Sequence, residues 1–382
     1  MNGNIRIGSL FGIPFFINPS WFVVLALVTL SYSGRLAFLF PGLDVFAWVL
    51  GFITALLLFG SVLAHELGHS LVAMRQGIEV KSITLFLFGG LASLEEESKT
   101  PGDAFKVAIA GPLVSLGIFA LLLAVQIFTP IAGPIAAMVS LLAYINLVLA
   151  LFNLIPGLPL DGGNVLKAIV WKITGKPYKG VAFASTVGQV FGWIGVLLGI
   201  ASILGLTEFG SIWTLLIGWF LLQNAGRSAQ SAAIQEQLSG LTASDAVYAE
   251  SPVVSADLSL REFANTYIIG SKVNWRKFLV VDADGQLIGD IEVDAMKTIP
   301  TNDWWDVPVR DLTKPIEKVQ KIPATESLLD VMPLIQAEDP GVLTVVKDDG
   351  SVVGLIEKDS IFEMMQRRSQ ESAPTPAETT AS

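Results

Sequence analysis

The chain has 382 residues, 52% hydrophobic and 15% charged, with no cysteine and a formal net charge of −10. So apolar a composition excludes an ordinary soluble domain and points to several membrane spans; the missing cysteines exclude disulfides, thiol catalysis and Cys-ligated zinc. The charge is divided, with 10 Lys+Arg against 9 Asp+Glu in residues 1–224 and 14 against 25 in residues 225–382, so an acidic second part gives no reason to expect nucleic-acid binding.

The first ~20 residues alternate weakly (Ile5, Ile7, Leu10), contain Pro14 and Pro19, and read as a short strand or interfacial segment without a cleavable signal pattern. Apolar stretches follow near 20–34, 46–66, 104–128, 134–153, 183–205 and 209–224. Each is long enough, or nearly so, to cross ~30 Å of hydrocarbon as a helix. If the N-terminus lies inside, the inside loops hold Arg6, then Arg75, Lys81, Lys99 and Lys106, then Lys167, Lys172, Lys176 and Lys179, then Arg227 onward, while the outside loops hold only Arg35. That asymmetry predicts cytoplasmic N- and C-terminal regions. It also sets the segment around His65 and the end of the fourth helix, near Asp161, at the same membrane face. Between the second and third helices, residues 80–94 are β-rich around Gly89-Gly90 and predict a hairpin.

Beyond residue 240 the pattern changes. Residues 253–296 and 322–362 repeat one unit, helix, strand, Asp/Gly turn, strand, helix, with turns at Asp282-Ala283-Asp284-Gly285 and Asp348-Asp349-Gly350. The expected organisation is a membrane domain over 1–224, a linker over 225–240, two repeat units over 241–300 and 301–367, and a disordered tail over 368–382 rich in Ser, Thr, Pro, Ala and Glu.

Both histidines of the chain fall in Ala64-His65-Glu66-Leu67-Gly68-His69-Ser70. On a helix, positions i and i+4 share a face, so both imidazoles can bind one ion. Zinc takes neutral imidazole and carboxylate ligands in a tetrahedron and leaves a place for water, whose pKa it lowers towards ~7. Glu66 can meet that water without ligating the metal and carry its proton. Ionisable groups in a membrane helix each cost ~2.5 kcal/mol or more unless paired or solvated, which argues against a purely structural role.

A third ligand must come from elsewhere, and Asp161 is the only acidic residue between Asp103 and Glu208. It lies in Asn153-Leu154-Ile155-Pro156-Gly157-Leu158-Pro159-Leu160-Asp161-Gly162-Gly163, where prolines and glycines break the helix; irregular backbone at membrane depth usually lines a cavity. The other reading of Asp161 is an exposed turn residue at the interface.

These two motifs, with Phe88-Gly89-Gly90-Leu91-Ala92 and Ala110-Gly111-Pro112, resemble the site-2 protease family of intramembrane metalloproteases across residues 1–224. The resemblance implies one zinc ion per chain held by His65, His69 and Asp161, Glu66 as general acid/base, and Asn153 as a donor to the tetrahedral oxyanion. Asn153 could instead cap the fourth helix. It further implies single-span membrane proteins, such as anti-sigma-factor-like proteins, as substrates, with the 80–94 hairpin pairing to an unwound substrate strand; the alternative is a plain hairpin that seals the site.

The repeated acidic part resembles a pair of CBS domains. That likeness implies an α/β fold, a cytoplasmic regulatory role, clefts for adenine nucleotides, and a homodimer through these domains. Asp294 and Asp359 match the family's ribose-binding aspartate, whereas Glu292 and Glu357 replace the Thr or Ser that meets phosphate and would repel it; dimerisation or gating without nucleotide is the alternative. The expected whole is an α-helical polytopic membrane protein of about six transmembrane helices with a short β hairpin, followed by the cytoplasmic α/β CBS-domain pair. The resemblance implies that it acts as a zinc metalloendopeptidase in the bilayer. A CBS-gated transporter or channel also explains the helices and the repeat, but not Glu66 between zinc-spaced histidines.

Overall fold

A computed structural model describes residues 3–87, 89–247, 252–269, 275, 277–315, 321–337 and 342–371. The chain divides into two units, Met1–Ala233 and Ile234–Ser382.

The first unit opens with strands β1 (Ile5–Leu10) and β2 (Ile13–Ile17), then helices α1 (Ser20–Leu39) and α2 (Val45–Arg75). Strands β3 (Val80–Phe86) and β4 (Gly89–Leu94) form the expected hairpin, with Phe86 opposite Gly89. The N-terminal segment is itself a hairpin, and β2 pairs in parallel with β3, giving one sheet in the order β1-β2-β3-β4. Its buried side chains, Ile13, Val80 and Ile83, pack with Ala73 of α2. Helices α3 (Pro101–Phe128), α4 (Gly133–Asn153), α5 (Asp161–Thr174), α6 (Pro177–Ile203) and α7 (Ile212–Leu238) follow. Their starts follow local chemistry: Thr100 Oγ1 accepts from Asp103 N at 3.1 Å, with Pro101 opening α3, and Pro177 opens α6. Gly175, at φ 71°, ends α5 in the left-handed conformation. Buried Asn146 of α4 donates to Ser61 Oγ of α2 at 3.0 Å, a polar tie between the two helices.

Among the described residues five helices, α1, α2, α3, α4 and α6, are long and apolar enough to cross a membrane. Their outer faces expose large apolar side chains such as Phe38, Val45, Leu121 and Leu197, which suits lipid rather than water. The sixth expected stretch is the first half of α7; polar residues from Gln223 onward dilute it. The expected linker at 225–240 is instead mostly the continuation of that helix, because Ala, Gln, Arg and Glu sustain helix without an apolar stripe.

The second unit holds strands β5 (Val253–Ser255), β6 (Lys277–Val281), β7 (Leu287–Glu292) and β8 (Lys314–Pro315) in one sheet, with the short helix α8 (Leu260–Phe263). A second sheet is built from β9 (Lys321–Pro323), β10 (Val342–Val346) and β11 (Val352–Glu357), with helices α9 (Leu328–Ala337) and α10 (Lys358–Glu371). The repeat is real: β5 runs parallel to β6, which turns back into β7, as β9 runs parallel to β10, which turns back into β11. The first repeat closes on a short 3-10 turn over Val293–Thr298 rather than a full helix, and Pro300 follows at once.

Core packing crosses the expected boundary between the repeats in two places. Leu238, Leu241, Ala243 and Ala246 pack into the core of the second repeat with Ile322, Leu328 and Val345, and Ala243 N donates to Glu326 O at 2.8 Å. Conversely Val307, Val309 and Leu312 pack into the core of the first repeat with Phe263 and Phe278. Each repeat is thus completed by a flanking segment that the linear division assigned to the other. Helix α10 continues to Glu371, so residues 368–371 are helical; the remainder of the expected tail, 372–382, lies outside the described residues, as does Phe88.

Candidate active site

Three ligand-type atoms converge between α2 and the start of α5. His65 Nε2 lies 3.0 Å from Asp161 Oδ2, His69 Nε2 lies 3.3 Å from the same oxygen, and the two Nε2 atoms are 3.3 Å apart. The i, i+4 spacing on α2 aligns the imidazoles. Asp161 is the first residue of α5, where a carboxylate suits the helix dipole. The loop before it is pulled in tightly. A Cβ on Gly162 would strike the Leu154 carbonyl, and one on Gly163 would strike the backbone of Gly157 and Leu158. Leu158 N also donates to Ala184 O of α6 at 3.1 Å, which ties the loop to the next helix.

Helix α3 orients both imidazoles. His69 Nδ1 donates to the Val107 carbonyl at 2.6 Å, and His65 Nδ1 pairs with Ser115 Oγ at 2.9 Å. A neutral imidazole that donates through Nδ1 carries its lone pair on Nε2; the Val107 carbonyl requires this of His69, and with Ser115 Oγ accepting from His65 Nδ1 both lone pairs point to one spot. Gly111 makes that approach of α3 feasible. A Cβ there would collide with His69 Nε2 and come within 2.7 Å of His65 Nε2.

The donor set fits zinc. Ligand bonds of about 2.0–2.1 Å in a tetrahedron place the ligand atoms roughly 3.3–3.4 Å apart, and the three separations found are 3.0, 3.3 and 3.3 Å. Without a cation, two imidazole lone pairs and a carboxylate facing one another would repel. His65 is 3% exposed, so water does not screen it.

Glu66 lies beside this cluster and under the edge strand. A Cβ on Gly90 would collide with its side chain, so the bare glycine of β4 lets the carboxylate sit there. His65, Glu66, His69, Asp161, Asn153 and Gly90 all line one cavity of about 370 Å³.

Residues 53–137 and 129–195 match peptidase family M50. The Synechocystis sp. protein sll0528 is 57% identical over 367 residues, 96% of this chain and 96% of its own length. The chain belongs to peptidase family M50, the site-2 protease family. Zinc metalloprotease MJ0392 of Methanocaldococcus jannaschii is 31% identical over 77% of this chain and 79% of its own. A solved site-2 protease from the same organism is 31% identical, with a TM-score of 0.44, covering 59% of this chain and 95% of that one. In the acidic part, a CBS-domain hemolysin-like protein of Oenococcus oeni is 16% identical with a TM-score of 0.29, over 35% of this chain and 96% of that one.

The M50 peptidase carries its other predicted site residues in two settings. Asn153 is the last residue of α4, and its side-chain amide donates back to Leu149 O at 3.1 Å, so its donor serves its own helix while its side chain borders the cavity. Asp294 and Asp359 lie in the second unit, at the turn after β7 and in the first turn of α10. Asp294 pairs with Lys297 Nζ at 2.6 Å and is 79% exposed. Sequence reasoning missed the roles of Val107, Ser115, Gly90 and Gly111. The glycines could have been flagged from the Gly-Gly turn and the Ala-Gly-Pro run; a backbone carbonyl and a lone serine carry no such signal.

Proposed function

We propose that this M50 peptidase is an intramembrane endopeptidase for single-span membrane proteins, anti-sigma-factor-like proteins among them. In this reading one zinc ion is held by His65, His69 and Asp161. The observation that carries it is the meeting of two imidazole nitrogens and one carboxylate oxygen within 3.3 Å of one another.

A bound zinc ion polarises the scissile carbonyl and lowers the pKa of a water molecule towards ~7. Glu66 takes the proton that the attacking water gives up and delivers it to the departing amide nitrogen. Ser115 and the Val107 carbonyl hold the imidazoles in the tautomer that ligation needs. Asn153 turns its amide from Leu149 O towards the oxyanion. Substrate lies along β4, the last strand of its sheet, whose outer edge has backbone groups free for strand addition; Gly90, Leu91 and Ala92 of that strand line the cavity. A substrate helix must unwind to pair there, which also bares its peptide carbonyls. Cytoplasmic N- and C-terminal regions, with the active site towards that face, fit the placement of Lys and Arg. The CBS-like pair regulates activity or assembly, through an adenine nucleotide at the clefts marked by Asp294 and Asp359 or through a homodimer.

The test is zinc content and cleavage of a single-span test protein by wild type, Glu66→Ala and Asp161→Ala. Glu66→Ala is expected to keep zinc and lose about 10²–10⁴-fold in kcat, and Asp161→Ala to lose zinc. A wild-type rate in Glu66→Ala, or full zinc occupancy in Asp161→Ala, refutes these assignments.

A further inference from the structure

A second, larger cavity of about 730 Å³ lies between α1, α2, α4 and α7. Its walls are almost wholly apolar, with Leu27, Leu58, Leu149 and Ile217 among them. Asn153 borders both this cavity and the smaller one that holds Glu66 and the two histidines, so the two spaces meet at that residue. Helix α1 begins at the catalytic end, where Leu87 N, in the turn between β3 and β4, donates to Ser20 Oγ at 3.2 Å.

Among the described residues Arg35 is the only charged one that lines the larger cavity, and it stands at the opposite end. Fifteen helical residues separate it from Ser20, roughly 22 Å along the axis. Leu141 of α4 packs at this far level with Tyr32 and Leu36, and it is twelve residues, roughly 18 Å, from Asn153. Among the described residues no carboxylate pairs with Arg35. Tyr32, one helical turn earlier on the same face, also lines the cavity; it is 8% exposed, and its hydroxyl has no hydrogen-bond partner among the described residues. An exposed guanidinium with no carboxylate partner and, one turn away, a buried phenol hydroxyl with no acceptor among the described residues, at the end of a mostly apolar groove, make a receptor for an anion.

We propose that Tyr32 and Arg35 select the substrate: the segment that lies in the groove carries an Asp or Glu carboxylate at the membrane face opposite the metal centre. The scissile bond lies about 12 residues from that acid where the segment stays helical, and about six where it is fully extended. The proposal rests on the protease reading for what occupies the groove. An acid fits better than a neutral end because the exposed guanidinium has no carboxylate partner among the described residues and gains most from an anion.

The experiment uses full-length Glu66→Ala protein, zinc-loaded, in phosphatidylcholine nanodiscs. It is titrated with a fluorescent single-span peptide bearing Asp, Asn or Lys at the far end. The Asp peptide should bind about tenfold more tightly than the Asn peptide, and the Lys peptide most weakly. Arg35→Gln should erase the Asp preference, Arg35→Glu should make Lys preferred, and Tyr32→Phe should narrow the Asp–Asn gap. Equal binding of the three peptides, or an order unchanged by Arg35→Glu, overturns the proposal. So does an Arg35→Gln effect seen only as weaker retention of phosphatidylglycerol in a parallel set of nanodiscs doped with that lipid, which would make the arginine a lipid contact. Because binding is read without hydrolysis, a charge-blind groove leaves the protease reading intact. Tight binding of the Asp peptide with no cleavage of it by wild type would instead count against the protease reading alone.

Discussion

The two units handle charge in opposite ways. The membrane unit gathers His65, Glu66, His69 and Asp161 into one small cavity, whose wall also carries the ion pair of Glu97 with Lys167 and the amides of Asn153 and Asn164. The acidic unit spreads most of its carboxylates over its surface, as in the exposed pairs Asp294–Lys297 and Glu292–Lys314, and buries one, Asp290, against Lys277 Nζ at 3.0 Å. Charge held out of water is costly unless it is matched to a partner, so the first arrangement demands an ion, whereas the second asks for solvent around its exposed carboxylates and for Lys277 at Asp290. Substitutions in the membrane site should therefore act through metal binding, and those in the acidic unit through packing.

The largest expected effect is at Gly111. An added methyl group would collide with His69 Nε2, at the place where the lone pairs converge. Alanine favours helix over glycine by about 0.5–1 kcal/mol, so the backbone of α3 gains rather than suffers. Gly111→Ala should fold, lose bound zinc, and lose at least about 100-fold in cleavage rate. Elemental analysis alongside a cleavage assay checks this, and a fully zinc-loaded Gly111→Ala protein would break the comparison on the membrane side. In the acidic unit the corresponding probe is Phe263→Ala. That ring is fully buried and meets Phe278 edge-on at 4.8 Å. Its loss should cost about 3–5 kcal/mol, seen as a lower calorimetric transition for the second unit, with zinc content unchanged. Zinc loss in this variant would mean that the two units are not energetically separate.

Most of the metal-binding pattern was legible because it obeys short-range rules. Helical periodicity aligns His65 with His69, and a lone acid in a helix-breaking run stands out at Asp161. Helix α5 was missed for a physical reason: Gly162 and Gly163 lower helix propensity at its start. They are used instead for contact, since side chains there would strike the loop from Leu154 to Leu158. Periodicity revealed the repeat in the acidic unit but not its exchanged segments. The pairing of Ala243 with Glu326, or of Val309 with Leu258, links residues far apart in the chain and leaves no local pattern. Likewise the carbonyl of Val107 has no residue identity by which it could be found.

The smallest expected effect sharpens the contrast most narrowly. Lys314 Nζ donates to Glu292 Oε1 at 2.6 Å, and the two side chains are 50% and 48% exposed. That hydrogen bond holds the Lys314 pKa above its ordinary 10.5, against slight desolvation. A raised folded-state pKa means that the pair's contribution is fully present below pH ~10.5 and fades as pH rises through the folded value. Solvent screening limits the contribution to under about 1 kcal/mol, and 1 M salt should remove most of it. Glu292→Gln should therefore shift the urea midpoint of the acidic unit slightly at pH 7 and low salt, and negligibly at 1 M NaCl. A loss above about 2 kcal/mol that survived high salt would put this pair beyond the range of a solvated surface contact. The exposed carboxylates of the acidic unit would then depend on matched charge as the metal site and the buried Asp290–Lys277 pair do, and the division between the two units would no longer hold.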